Sequence, residues 1–195
     1  MKHISPAIKQ SPSGEQLPQG PGPWRTRLAL AAILLLGAAL RLWQPDQNGF
    51  GREYYAAGVR SMLQGWHLFF FNAFDPAGFV SIDKPPVALW FQVAGAKLLG
   101  FSGFSVLLPQ VLEGLLAIGL LFHLVRRSFG NLAGLLAALL LALTPICVAV
   151  DRSNNTDSCL VMFLMLAAWA LIIAVERSRM RWIVLAMALL GIAFN

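Results

Sequence analysis

The sequence predicts an all-α, polytopic membrane protein with about five transmembrane helices, and three observations carry that reading. Hydrophobic residues make up 57% of the 195. Charged residues reach only 12%, against roughly a quarter in soluble domains. Mean hydropathy is +0.66, and the apolar residues gather into runs that approach the twenty or so residues a bilayer crossing needs.

Residues 1 to 24 hold five of the eleven prolines, with Ser, Gly and Gln between them and no hydrophobic period. Such a composition reads as a disordered cytoplasmic tail, and residues 25 to 195 as the membrane region. The run from Leu28 to Trp43 has no small-residue cleavage site behind it, so it is expected to be a first membrane helix and not a signal peptide. Arg25 and Arg27 then mark its cytoplasmic side. Phe104 to Val125, Leu132 to Val150 and Cys159 to Val175 are the next expected spans, and an open-ended apolar run begins at Trp182.

Orientation turns on "VALWFQVAGAKLLG", residues 87 to 100, which has fourteen residues and carries Lys97. Counted as a span, it would place Arg126 and Arg127, and then Arg177, Arg179 and Arg181, outside the cell, against the bias of basic residues to the cytoplasm. It is therefore expected to lie in the interface as a juxtamembrane helix. The loop from about Gln44 to Gly103 and the short "DRSNNTD" at residues 151 to 157 then face outside. A loop of the first one's length is functional or disordered as a rule. Its aromatics, among them Tyr54, Tyr55, Trp66, Phe69, Phe70, Phe71 and Trp90, argue for helices half-immersed at the membrane surface. The chain stops inside an apolar run with no cap and no charged stop, and is expected to be the N-terminal part of a longer protein.

The net charge of +6 does not imply nucleic acid, because the basic residues are dispersed among apolar runs and form no stripe. Two cysteines, Cys147 and Cys159, make no disulfide framework and no CxxC site; buried thiols are expected, with a single bridge between them the alternative. His67 and His123 are isolated from other ligand-type residues. The sequence contains no Walker loop, dinucleotide fingerprint or HExxH motif.

Polar chemistry collects in the two outer loops. The long one supplies Asp46, Glu53, Asp75 and Asp83 with Arg52, Arg60, Lys84 and Lys97; the short one adds Asp151, Arg152 and Asp157. Carboxylate and cation on one membrane face suit a reaction in which one group removes a proton while the other holds a phosphate. Helix physics offers a second account of the same residues. Asp83 in "DKPP" is placed to cap a helix that begins at Pro85 or Pro86, and Asn155, Thr156 or Asp157 to cap the membrane helix that follows them. Glu113 lies inside an expected span, where an ionised side chain implies a partner or a function. Arg41, near the outer end of the first helix, either snorkels or faces an anionic lipid head group.

Taken in order, "REYYAAGVRSMLQGWHLFFFNAFDPAGFVSIDKPPVALW" and "LVRRSFGNLAGLLAALLLALTPICVAVDRSNNTD" resemble the family 39 glycosyltransferases of the GT-C class. Within it, the likeness is to bacterial membrane mannosyltransferase-like proteins related to protein O-mannosyltransferases and to the aminoarabinose transferase of lipid A. The resemblance covers about residues 26 to 195. It implies transfer of a mannose-like or related sugar, with inversion, from a polyprenyl-phosphate donor to an acceptor protein, lipid or wall polymer on the outer face of the plasma membrane. In such enzymes an acid opens the first outer loop, an acid-Lys-Pro motif lies near the donor phosphate, and an aspartate of the second outer loop completes the site. Asp83 and Lys84 match the second element and Asp157 the third. The first departs from the pattern, because Gly51 stands where better-known members have Asp. Glu53 is the nearest substitute, with Asp46 the runner-up. Arg52, Arg41 and Tyr55 are expected with Lys84 around the lipid phosphate. A divalent cation bridging carboxylate and phosphate is compatible with this chemistry, though no ligand spacing demands one. Two other readings stay open at this point: a transporter or flippase of lipid-linked sugars with Glu113 and Arg41 on the pathway, or a truncated, inactive remnant.

Overall fold

A computed structural model describes residues 22–44, 47 and 49–194. The expected tail over residues 1–21 and the candidate acid Asp46 lie outside them. The described chain is an all-α membrane protein of eight helices, with one isolated bridge pair between Ala73 and Ser81.

The first helix, α1 (Pro23–Leu42), is apolar on most sides. Leu28, Leu35 and Leu36 remain exposed, as a helix surrounded by lipid allows. Helix α5 (Gly103–Leu143) follows the long loop and opens on a reciprocal cap. The Ser105 backbone N–H donates to Ser102 Oγ at 3.2 Å, and the Ser102 N–H donates to Ser105 Oγ at 3.0 Å. Its 41 residues are two limbs, because Gly130 takes φ 84°, ψ 174° and reverses the chain. Left-handed φ of this kind is routine only for glycine. The limbs pack back on each other where Gly134 meets the Phe122 carbonyl, and Ile118, Phe122, Ala138 and Ala142 form the core between them and α1.

The two limbs take the place of the two spans expected from Phe104 to Val125 and from Leu132 to Val150, with one correction. Pro145 ends the second limb, since a proline disfavours the helical region for the residue before it. Thr144 is extended there, with φ −62° and ψ 115°. A short helix, α6 (Pro145–Asp151), continues at a new angle. Then come α7 (Asp157–Arg177) and α8 (Met180–Phe194), a hairpin turned at Ser178 in the left-handed region with φ 48° and locked by Trp169 edge-on to Trp182. Among the described residues, α5 and α7 are the helices long and apolar enough to cross a membrane by themselves.

Residues 49 to 102 fold as a packed cap on the bundle. It contains α2 (Glu53–Met62), α3 (Trp66–Phe70) and α4 (Pro86–Leu99), the last in place of the expected interfacial helix. Tyr55, Val59, Met62, Leu89 and Val93 make its core together with Val106 of α5. Helix α4 reaches α5 by a close backbone approach. Pro109 has no N–H to give to the Ser105 carbonyl, and Gly95 lies so near that oxygen that a Cβ would sit 2.5 Å from it.

Antiparallel packing sorts charge to the two ends of the bundle. Arg127 pairs with Glu176, so the Gly130 turn, the end of α7 and the start of α8 lie together, away from the cap. The cap's own turn at residues 75 to 80 is closed by Asp75, whose carboxylate accepts the Val80 N–H at 2.7 Å and the Ala77 N–H at 2.9 Å. These donors, Val80 foremost, hold the carboxyl below its ordinary value of 3.8. A depressed folded value means that the turn's stabilisation is full above 3.8 and is lost as pH falls below it. Exchange of the Val80 amide, corrected for its intrinsic rate, should therefore show protection at neutral pH that disappears in acid. Asp75→Asn should remove that pH dependence.

Candidate functional site

The short loop after α6 is fastened on every side. Asp151, 5% exposed, accepts Arg41 Nε on Oδ2 at 2.7 Å and Ser158 Oγ on Oδ1 at 2.6 Å. Arg41 also donates to the carbonyls of Gly37 and Ala142, both at 3.3 Å. Arg152 donates to the Leu40 and Trp43 carbonyls at 3.0 and 2.7 Å, which closes the end of α1. Asn154 is fully buried. It takes a long contact from Gln110 Nε2 and gives one to the Arg52 carbonyl, each at 3.5 Å. α5 makes room for all this at Gly114, where any Cβ would fall on the Asp151 carboxylate.

On one flank of the loop lies a cavity of about 200 Å³. Lys84 and Pro85 line it from the segment before α4, Thr156, Asp157 and Cys159 from the start of α7, and Ala193 from α8. Two of the residues singled out from sequence, far apart in the chain, thus share one cavity. Lys84 is held there by its backbone, since Asn72 Nδ2 donates to its carbonyl at 2.9 Å. Its ammonium lies 3.6 Å from Asp83 Oδ2, a contact with both side chains well exposed and of little energetic weight. Asp157 accepts Asn155 Nδ2 at 2.9 Å. The helix-cap account holds for neither aspartate. The N-cap of α4 is Pro85, that of α7 is Thr156, and neither helix has a side-chain cap hydrogen bond.

On the other flank is a wider opening of about 700 Å³ lined by Gly51, Arg52, Pro145 and Arg152 among others. Glu53 stands beside it as the exposed first residue of α2, where a carboxylate also favours the helix N-terminus. It is not among the residues that line the Lys84–Asp157 cavity. Asp83 is exposed and outside that cavity too.

Arg41 and Tyr55 sit elsewhere than expected. The Arg41 side chain is 1% exposed and engaged by Asp151, so its guanidinium is turned into the bundle and not toward a head group. Tyr55, 4% exposed, is a core residue of the cap. Glu113 is buried, and its Oε2 has no hydrogen-bond partner among the described residues. Both cysteines are free, Cys159 buried and Cys147 partly so. Among the described residues no three His, Cys, Asp or Glu side chains converge as a metal set.

Gly51 stands where the resemblance leads one to expect an acid, and its surroundings exclude a side chain. Its φ is +67°, and a Cβ there would lie 2.5 Å from the Asn154 backbone nitrogen. Sequence reading passed over Asn154, Gln110 and Ser158; the one signal for them was that Arg41 and Glu113, buried in apolar helices, require polar partners.

The described residues form an all-α membrane bundle with a lysine and an aspartate in one cavity. Residues 83–195 match the family described as Dolichyl-phosphate-mannose-protein mannosyltransferase, and the chain belongs to it. Two Bacillus subtilis (strain 168) proteins are similar to it. "Putative mannosyltransferase YycA" is 46% identical over 167 residues, and "Putative mannosyltransferase YkcB" is 40% identical over 168. Each alignment covers 86% of this chain and 24% of the relative, so the chain spans about a quarter of their length. No solved structure matches it.

Restoring the acid at its usual place should fail. Gly51→Asp sets a branched side chain on a left-handed backbone against Asn154, and is expected to cost about 1–3 kcal/mol. Thermal unfolding in detergent should show a lowered midpoint, with no gain in any activity.

Proposed function

We propose that this chain carries the membrane site of a glycosyltransferase that moves a mannose-like sugar, with inversion, from a polyprenyl-phosphate donor to an acceptor hydroxyl on the outer face. The observation that carries the reading is the joint presence of Lys84 and Asp157 in one cavity at the polar end of the bundle.

Each residue has a role set by its chemistry. The acceptor oxygen attacks the anomeric carbon from the face opposite the phosphate. Its proton passes to the Asp157 carboxylate, and the anomeric C–O bond breaks to release the polyprenyl phosphate with its electron pair. A positioned base contributes on the order of 10²–10⁴ in rate. Lys84 neutralises the charge that grows on the leaving phosphate, as a compact cation with rotatable donors does well. Asp83 stands outside the cavity, and Arg52 and Glu53 belong to the rim across the loop, where an acceptor approaches.

Charge distribution supports the orientation. Arg25 and Arg27, Arg126 and Arg127, and Arg177, Arg179 and Arg181 belong to the end away from the cavity, which the positive-inside bias assigns to the cytoplasm. The five-span, multi-pass topology follows from that assignment, with the two limbs of α5 as neighbouring crossings.

Two measurements test this. In membranes supplied with radiolabelled polyprenyl-phosphate sugar, Lys84→Ala and Asp157→Asn should each lower transfer by about 10² or more, whereas Glu53→Gln should leave it within about threefold. Full transfer by both of the first two variants would sink the site. For orientation, an impermeant thiol reagent applied to intact cells should label Phe79→Cys, which is 88% exposed, and spare Phe129→Cys, which is 77% exposed. The opposite pattern would invert the topology.

A further inference from the structure

Resting on the proposed transfer at the Lys84–Asp157 cavity, we propose that Arg41, Asp151 and Ser158 form a positioning clamp that fixes Asp157 in place. A single carboxylate joins three helices. Asp151 closes α6, binds Arg41 of α1 through one oxygen and Ser158 of α7 through the other. Ser158 is the neighbour of Asp157 in the chain, so the contact that holds one sets the backbone of the other. None of the three clamp residues lines the Lys84 cavity; Asp151 and Ser158 border a smaller one of about 140 Å³ on the other side of Asp157, and their effect on the transfer passes through Asp157.

Charge at this spot needs a reason beyond cohesion. Buried ion pairs replaced by well-packed apolar residues leave many proteins as stable as before. Apolar packing would tie α1 to α6 equally well, but it has no direction. Hydrogen bonds at 2.7 and 2.6 Å to two separate oxygens do, and α5 is cut away to a glycine at position 114 to admit the carboxylate. The loop's other fastenings, Arg152 to the end of α1 and Asn154 toward Gln110, restrain its middle. Asn155 binds the Asp157 carboxylate and the Thr156 N–H from within the loop, and the clamp ties Ser158, on the helix side of Asp157, to α1 and α6.

The test separates position from stability and from the reaction itself. Lys84→Cys and Asp157→Cys are introduced together, with Cys147→Ser and Cys159→Ala, and the rate of bridging by a short bifunctional thiol reagent is measured in membranes. Transfer kinetics are measured in chains that keep Lys84 and Asp157. The apolar pair Arg41→Met/Asp151→Leu is expected to melt near the parent temperature, yet to bridge about fivefold more slowly. Its kcat should fall about tenfold with donor KM within about twofold, as misplacement of a reacting group predicts. Ser158→Ala should shift both readouts in the same direction. Bridging and kcat within about twofold of the parent in the apolar pair and in Ser158→Ala would overturn the clamp. Should the apolar pair not fold, Ser158→Ala and Asp151→Asn decide by the same two readouts. Absence of transfer by the parent chain would refute the proposed reaction, while the bridging rates would still decide the clamp.

Discussion

One buried ion pair sets the geometry at the polar end of the bundle. Arg41 and Asp151 lie far apart in sequence and meet at 2.7 Å with both side chains almost wholly out of solvent. Removing two charges from water costs several kcal/mol per ion, and attraction alone does not offset it; additional hydrogen bonds must satisfy the remaining donors and lone pairs. Here they do. Arg41 finds the Gly37 and Ala142 carbonyls, and Asp151 finds Ser158. The Ala142 carbonyl belongs to the last turn of α5, where Pro145, lacking an N–H, leaves the helix end short of donors. One guanidinium thus serves a carboxylate and a broken helix together, and loss of either ion would strand the other.

Small residues let the pair form. Without a hydrophobic driving force between helices in lipid, close backbone approach carries the packing, and glycine and alanine line the contacts. Gly37 sits 3.2 Å, by its would-be Cβ, from Ile118; Gly114 faces Asp151; Ala138 and Ala142 are fully buried. Gly95 against the freed Ser105 carbonyl docks the cap in the same way. A chain whose polar centre lies among apolar helices has no room for longer side chains at these positions.

Legibility in the sequence followed the range of the interaction. The α4 helix with Pro86 at its start, the Gly130 reversal implied by separate spans, and the hairpin of α7 and α8 all come from local signals of hydropathy, proline and charge. The break at Thr144 was missed because a proline within an apolar run weighs little against the hydropathy of the whole run. For the site, Lys84 and Asp157 were legible as motif residues, but their shared cavity was not, since contact across the fold leaves no local pattern. Arg41 reads as snorkelling or facing a head group because its partner Asp151, which closes α6, stands in a stretch that reads as a solvated loop. Gly51 reads as a missing acid; only the approach of Asn154 shows it as a steric requirement.

Rigidity at the Lys84 cavity follows from what precedes it. The lysine stands on a short extended stretch between Ile82, bonded by its N–H to the Asn72 carbonyl at 2.9 Å, and the Pro85–Pro86 pair. Asn72 itself is held in the left-handed region at φ 54° and returns its amide to the Lys84 carbonyl. Prolines fix φ and restrict the residue before them, so the backbone of Lys84 is constrained from both sides while its side chain stays free. Opposite it, the acid loop is fastened through Asp151, Arg152 and Asn154. In the proposed transfer, two walls with fixed backbones bring Lys84 and Asp157 to the same cavity, so little of the chain has to reorganise as charge develops.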